Sequence, residues 1–356
     1  MKKLALIGCG GIGGYHRGHF DHYKDVEFAA TCDLHLDRAE KYAKDSGKNA
    51  AGNDVKAYQC YKKMLDEVKP DMVFIGIPPY RHGEVEFELI ERGIHFFVEK
   101  PVALDVGLGI EIRDKAARAD LITAVGFQCR YDNINDTALD FLKAHPIVTA
   151  QGSRIGSIPE VDWWRRQDLS GGQLTEQTVH NVDIMRYLLG DIVTVYSTAN
   201  RGFIKTSECP GYDTDDYTTT IFTFSSGITA TMLSGCYATG PAFESKTVFS
   251  ARDARLDYYL IDCVKLFGVD AVAPTESAAG IVKGDGMQFR KEGENSITVK
   301  TNVDVGTVCD RTFVDAVLTG DNSKIRSPYS DGLKTVAACL ASNESIKTGL
   351  PVKVLV

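Results

Sequence analysis

Along its first third the chain alternates short apolar runs with segments in which apolar residues recur every three or four positions. Short runs bounded by polar turns have the length of buried strands, and the three-to-four spacing lines one face of a helix. The pattern predicts strands over Lys3–Ile7, Val26–Cys32, Met72–Ile75, His95–Val98 and Leu121–Val125. Between them it predicts helices over Ile12–Tyr23, Leu36–Ser46, Cys60–Val68, His82–Arg92 and Asp105–Ala119. The fourth, HGEVEFELIERG, ends at Gly93, as a glycine C-cap should. Strand and helix in alternation imply βαβ units around a parallel sheet.

Beyond Gly126 the texture changes. One long helical pattern, Gly172–Leu189, is followed by alternating segments, Val193–Asn200, Tyr217–Phe224 and Ile228–Cys236, of the kind found in antiparallel sheets with one wet face. Helical patterns return at Cys309–Leu318 and Ser330–Lys347, before a last strand over Val352–Val356. At 356 residues the chain exceeds what one core comfortably serves. The expectation is an α/β chain of two domains: a doubly wound parallel sheet over 1–125 and an α+β domain with a largely antiparallel open sheet over 126–356. The helix 330–347 is expected to pack back on the first domain.

Composition narrows the partners. The chain is 44% hydrophobic and 25% charged with a net charge of −8, which argues against nucleic acid and anionic membranes, since both reward concentrated Lys and Arg. No apolar stretch approaches the roughly 20 residues needed to span a bilayer. The nine cysteines are scattered without a C-x-x-C pair and read as reduced, buried small hydrophobes. The apolar run before Gly8 is too short for the core of an export signal. Cytoplasmic residence and a small-molecule partner are expected.

The first strand runs into Gly8-Cys9-Gly10-Gly11-Ile12-Gly13, a G-x-G-x-x-G at the junction where a helix begins. In such a loop Gly8 permits the tight turn, Gly10 lets backbone approach a pyrophosphate and Gly13 lets helix and strand pack closely; the helix N-terminus adds its positive dipole end. Asp33 ends the second strand, 20 positions after Gly13, where an acid binds the adenosine ribose diol and repels a 2′-phosphate. The order of strand, glycines, helix, strand and acid is that of a Rossmann domain and favours NAD over NADP. His16, His19 and His22 on the same helix, with Asp21 beside them, are read as solvated or capping groups, and no metal site is expected.

Two further segments, Ile75-Gly76-Ile77-Pro78-Pro79-Tyr80-Arg81-His82 and Val98-Glu99-Lys100-Pro101, follow apolar strands. They therefore lie at the carboxyl ends of the sheet, where open α/β sheets hold ligands. Lys100, between a buried strand and a rigid proline, is delivered to that crevice. On the long helix Glu176, His180 and Asp183 are spaced i, i+4 and i+7, which puts them on one face.

The set GCGGIG, IPPYRH, VEKPVALD and SGGQLTEQTVHNVDIMRYLLGD resembles the glucose-fructose oxidoreductase / inositol dehydrogenase family, often called Gfo/Idh/MocA. The resemblance extends to the closing SPYSDGLKTVAACLASNESIKTGLPVKV. It implies that Lys100 is the family's catalytic lysine and that Glu176 and His180 match its Asp-x-x-x-His pair, with glutamate in place of the aspartate. It also implies that the second domain's open sheet mediates a homodimer or homotetramer. The cofactor contacts expected are Gly8, Gly10, Gly11, Ile12, Gly13, Asp33, Ile77, Pro78, His82, Glu99, Lys100 and Gln128.

Arg130 and Tyr131 follow the last strand of the first domain, Trp163 and Arg165 precede the helix, and Tyr237 ends a strand. With Lys100, His180 and Asp183 they are the candidates for substrate contact.

The expected activity is hydride transfer between NAD and a secondary hydroxyl or ketone of a sugar, glycoside or cyclic polyol. Lys100 would accept the proton or pass it to His180, its pKa lowered by burial and by the nicotinamide charge, while Glu176 orients His180. A redox-neutral glycoside-cleaving enzyme with retained NAD and a non-catalytic dinucleotide sensor remain as alternatives.

Overall fold

The computed structural model describes residues 1–269 and 296–356. In chain order the first sheet and its helices are β1 (Lys2–Ile7), α1 (Gly11–Phe20), β2 (Val26–Cys32), α2 (Leu36–Ser46), β3 (Lys56–Tyr58), α3 (Tyr61–Val68), β4 (Met72–Ile75), α4 (Glu84–Glu91), β5 (His95–Val98), α5 (Val106–Arg118) and β6 (Thr123–Val125). All strand pairs are parallel, in the order β3-β2-β1-β4-β5-β6. The order reverses between β1 and β4, and such a switch point leaves a crevice at the strand ends. The sheet is apolar through its thickness because helices cover both faces; Leu4, Ala5 and Leu6 are all fully buried. The edge strand β3 escaped the sequence reading. Three residues offer too little periodicity to register.

The second part contains α6 (Ile134–Ala144), β7 (Ile147–Ile155), α7 (Gln167–Ser170), α8 (Gly172–Glu176), α9 (Val179–Leu189), β8 (Ile192–Asn200), β9 (Tyr217–Phe224), β10 (Thr229–Gly235), β11 (Glu244–Ala251), β12 (Arg255–Tyr259), β13 (Cys263–Phe267), β14 (Ser296–Lys300), α10 (Val305–Thr319), α11 (Tyr329–Thr348) and β15 (Val352–Lys353). Its nine strands run β14-β13-β12-β11-β7-β10-β9-β8-β15 and are antiparallel except for the pair β7 and β10. Along β9 burial alternates residue by residue, with Thr218, Thr220, Phe222 and Phe224 inward and Thr219 and Ile221 outward. Helices α9 and α11 pack over the sheet's apolar face, and the opposite face is open.

The expected helix Gly172–Leu189 is two helices. The N–H groups of Gln177 and Thr178 both donate to the Gln173 carbonyl, at 3.0 and 2.9 Å. This one wide turn adds a residue and rotates everything after it. The terminal elements tie the two parts together: α10 packs on α1, while α11 packs on α5 and β6 as well as on α9 and β8. Phe313 of α10 joins Phe74 and Phe97 from the first sheet, with centroids 5.4 and 5.9 Å away. Each such fully buried side chain contributes roughly 1.5–3 kcal/mol.

Candidate active site

The cofactor side of the site is made of backbone. Gly8 has φ +99°, and a Cβ there would stand 2.2 Å from the Gly76 carbonyl oxygen; a Cβ on Gly13 would stand 2.0 Å from the Gly8 carbonyl oxygen. No other residue fits either place. Above Gly10 and Gly11 there is open space, and the N-terminus of α1 has no side-chain cap, so its N–H groups are left for an anion. Asp33 braces this loop, with Oδ2 accepting from Cys9 N and Oδ1 from His35 N, both at 2.8 Å. Ile77 packs under Gly8, and Pro78 leads into the turn Pro79–Arg81. His82 is buried, and its Nδ1 bonds Glu86 at 2.6 Å.

The reacting side is made of side chains. Lys100 leaves β5 with its peptide to Pro101 cis, and its Nζ donates at 2.9 Å both to Glu176 Oε1 and to the Glu176 carbonyl. That carbonyl ends α8 and has lost its helical partner. Glu176 Oε2 accepts from the indole N–H of Trp164 at 2.8 Å and from the Gln177 amide. Burial opposes charge on both partners, but the attraction between them wins. The Lys100 ammonium is held above the usual lysine range by Glu176 and Glu99, and the Glu176 carboxyl below its own by Lys100.

Two expectations are corrected here. Glu176 holds Lys100 rather than His180, because the wide turn at Gln177 takes the two out of i, i+4 register. Without a bound nicotinamide the Lys100 pKa is raised, not lowered toward neutrality.

His180 stands on the wall of an open cavity of about 400 Å³ with Gln128, Arg154, Gln177, Asn181, Glu244 and Ser245, and with Phe243, Leu260 and Ile261 as its apolar lining. Burial, then the positive charges of Lys100 and Arg154, push its pKa down to about 3, so the imidazole is neutral. Its Nδ1 is buried and has no hydrogen-bond partner among the described residues. Lys100 is not one of the lining residues but is near enough for its charge to act on His180, and it remains 14% exposed. Gln128 reaches the cavity and accepts from the Tyr15 hydroxyl at 3.2 Å.

Other candidates go elsewhere. Arg130 clamps Asp183 through Nε and Nη2, at 2.7 and 2.6 Å, and also binds Asp331. Tyr131 donates no contact to the cavity; its hydroxyl accepts from Arg326 N at 3.0 Å. Trp163 packs beside the buried cluster of Cys209, Tyr212 and Cys236, and Arg165 pairs with Asp162 at 3.2 Å. Tyr237 lies between Phe203 and Tyr217, 40% exposed. None of these, nor Asp183, lines the cavity.

His16 and His19 are not solvated. Both Nδ1 atoms meet Asp310 Oδ2, at 2.7 and 2.6 Å, and His16 Nε2 meets Glu99 Oε1 at 3.2 Å. His22 alone of the three is exposed. The His16, His19 and Asp310 ligand atoms lie within 4.8 Å of one another, at distances that hydrogen bonds account for. Glu99 is thereby turned inward, where it also accepts from the Lys100 N–H at 3.1 Å. Residues missed in the sequence are Arg154, Asn181, Ser245, Trp164 and Asp310. Arg154, Ser245 and Asp310 are placed by strand or helix pairing across long sequence separations, which no local pattern records, whereas Trp164 and Asn181 lie close in sequence to Glu176 and His180.

Residues 2–127 match the family profile described as "Oxidoreductase family, NAD-binding Rossmann fold", and residues 146–254 match "GFO/IDH/MocA C-terminal domain". The chain belongs to the Gfo/Idh/MocA family. Its similarity to the myo-inositol 2-dehydrogenase of Thermotoga maritima is 25% identity over 195 residues, covering 54% of this chain and 56% of that protein. To the D-glucoside 3-dehydrogenase of Escherichia coli it is 27% identical over 198 residues, covering 53% of this chain and 54% of that protein. The matches thus span about half the length of these curated relatives. An NAD binding oxidoreductase from Klebsiella pneumoniae has the same fold, with a TM-score of 0.80 at 19% identity over 100% of this chain and 99% of that one. The family's cofactor is NAD, and the uncapped helix end, the space above Gly10 and Gly11 and the glycine contacts fit its pyrophosphate. No helix among the described residues is long and apolar enough to cross a membrane.

Proposed function

We propose that this chain is an NAD-dependent oxidoreductase acting on a secondary hydroxyl of a sugar or cyclic polyol, or on the corresponding ketone, with His180 and Lys100 at the reacting centre. The observation that carries this reading is the pairing of a neutral imidazole having an unpartnered Nδ1 with a buried ammonium, beside the strand ends that bear the glycine cradle. When bound, NAD accepts a hydride equivalent from the carbinol carbon. Everything else falls to side chains.

His180 takes the hydroxyl proton, since it is the neutral base on the cavity wall. Lys100 enters as an ammonium, so its charge stabilises the developing alkoxide, and in the reverse direction protonated His180 returns the proton to the ketone oxygen while Lys100 polarises it. Glu176 and Trp164 hold that ammonium in place. Asp33 keeps two backbone hydrogen bonds and retains lone pairs for ribose hydroxyls, which supports NAD over NADP. The open sheet face, with Tyr196 and Ile221 outward, supports packing of a second copy.

Incubation with NAD and a panel of inositols, aldoses, aminosugars and glycosides, following reduced nicotinamide and product mass, tests the reading. NADH formation with a product two hydrogens lighter is expected. Cleavage of a glycoside without net NADH, or binding of NAD without turnover of any compound, would overturn it.

A further inference from the structure

The geometry points to a substrate that carries an anionic group, a carboxylate or phosphate, seated on Arg154 in the cavity beside His180. This rests on the proposed function and names the chemical class of its substrate.

Arg154 belongs to β7, where Gly152, Arg154 and Gly156 alternate onto the face turned toward α9. A Cβ on Gly152 would meet Met185 of α9 at 2.8 Å, and one on Gly156 would meet Arg154 Nη1 at 2.7 Å. The cross-strand partners of Arg154 are Ser245 and Ser234, and these bond Asn181 at 3.4 Å and Thr178 at 2.6 Å, at the start of α9. Register thus delivers the guanidinium to the corner where His180 stands.

Among the described residues Arg154 meets no carboxylate within 4.0 Å, and its hydrogen bond is a 3.5 Å contact to the neighbouring Ile155 carbonyl. The fully buried guanidinium groups are neutralised: Arg130 by Asp183 and Asp331, Arg186 by Asp191 and Asp331. Arg154 is half-buried, and burial pulls its pKa down; a partly desolvated charge without a partner is costly and invites an anionic occupant.

The nearby acids do not serve. Glu244 also lines the cavity, but it pairs in register with Ile155, accepts from the Ser153 hydroxyl and forms no ion pair with Arg154. Glu176 is consumed by Lys100, Trp164 and Gln177. Apart from Glu244, the polar groups that line the cavity with Arg154 and His180 are neutral: Gln128, Gln177, Asn181 with an unpartnered Oδ1, and Ser245. Such groups suit sugar hydroxyls, while a guanidinium fork suits the paired oxygens of a carboxylate or phosphate. A cavity of about 400 Å³ admits a monosaccharide with one such group. An anion here would also cancel one of the two cations that depress the basicity of His180, so the base would gain strength as substrate arrives.

The test uses matched pairs: glucose with glucuronate and glucose 6-phosphate, and myo-inositol with its 1-phosphate. Each is titrated calorimetrically into the NADH-loaded protein and assayed with NAD for NADH formation. The anionic member of at least one pair should bind roughly ten- to a hundredfold more tightly than its neutral parent, and carboxylate against phosphate is decided by which one. Arg154→Met should abolish the preference and Arg154→Lys restore part of it. Arg154→Met should also fold, because it removes an unpaired half-buried charge and keeps the stem; its melting temperature checks this, and Arg154→Gln serves if it does not.

Equal or weaker binding of the anionic members, absence of binding included, or a preference that survives Arg154→Met, overturns the inference. Turnover of neutral sugars without anion preference would remove this inference and leave the dehydrogenase standing. Arg154-dependent anion binding without NADH would do the opposite.

Discussion

The two sides of the crevice are built from different materials. On the proposed cofactor side the groups are peptide N–H donors and the absence of side chains at Gly8 and Gly13; on the proposed reacting side they are Lys100 and Glu176, held by an ion pair and hydrogen bonds, and the unpartnered His180. Backbone geometry tolerates loss of a neighbouring charge. An ion pair in a dry pocket does not, because each member depends on the other for its protonation state. Binding of NAD and chemistry upon it should therefore be separable by mutation.

The sharpest separation comes from Lys100→Met. Cofactor affinity measured by calorimetry should barely change, while the single-turnover rate at saturating NAD should fall about a hundredfold to ten-thousandfold. A mutant that loses NAD binding but keeps its turnover would erase the distinction.

A smaller effect is expected from Glu176→Gln, a loss of roughly tenfold. Removing the carboxylate removes the main force raising the Lys100 pKa and leaves burial, which lowers it. The alkaline limb of the pH–rate profile should then shift to lower pH. No shift would mean that Lys100 does not titrate in the reaction.

On the backbone side, Asp33→Ala should narrow the preference for NAD over NADP by a few-fold, read by titrating both cofactors. Tighter NADP binding by the unmodified chain would break the assignment of Asp33.

The least effect on activity belongs to His16→Gln, which should show in stability. Asp310 and Glu99 outweigh burial and raise the His16 pKa from 6.5 to about 10. A raised folded pKa means that the stabilisation is complete below pH 6.5 and is lost as pH climbs through 10. Melting temperatures of the two proteins should therefore differ by a few degrees near pH 6 and converge toward pH 10; a gap that widens with pH would contradict the charged state of His16.

The same contrast explains what could be read from the chain alone. The parallel strands and the glycine loop were legible because each is a local pattern: β2, β4 and β5 lie at the expected positions, and Gly8 and Gly13 make the expected close contacts. Lys100 and His180 were singled out by resemblance. Their surroundings were not. One residue of wide turn at Gln177 moved Glu176 from His180 to Lys100, and a helical repeat counted on paper assumes no such insertion. His16 meets a carboxylate 294 positions away, and Arg154 lies on a strand whose alternation the sequence reading passed over. Spacing rules carry no information about partners that far apart.

The arginine clamp has a consequence for motion. Arg130 follows β6 at the passage between the two parts, Asp183 and Arg186 belong to α9, and Asp331 to α11, and all four are tied in one buried knot. Lifting α11 away from α9 would have to pull charges out of that knot, and breaking a buried pair costs about 3–5 kcal/mol. Because α11 also packs on α5 and β6, the knot fastens the helix that carries His180 to a strut shared with the first sheet.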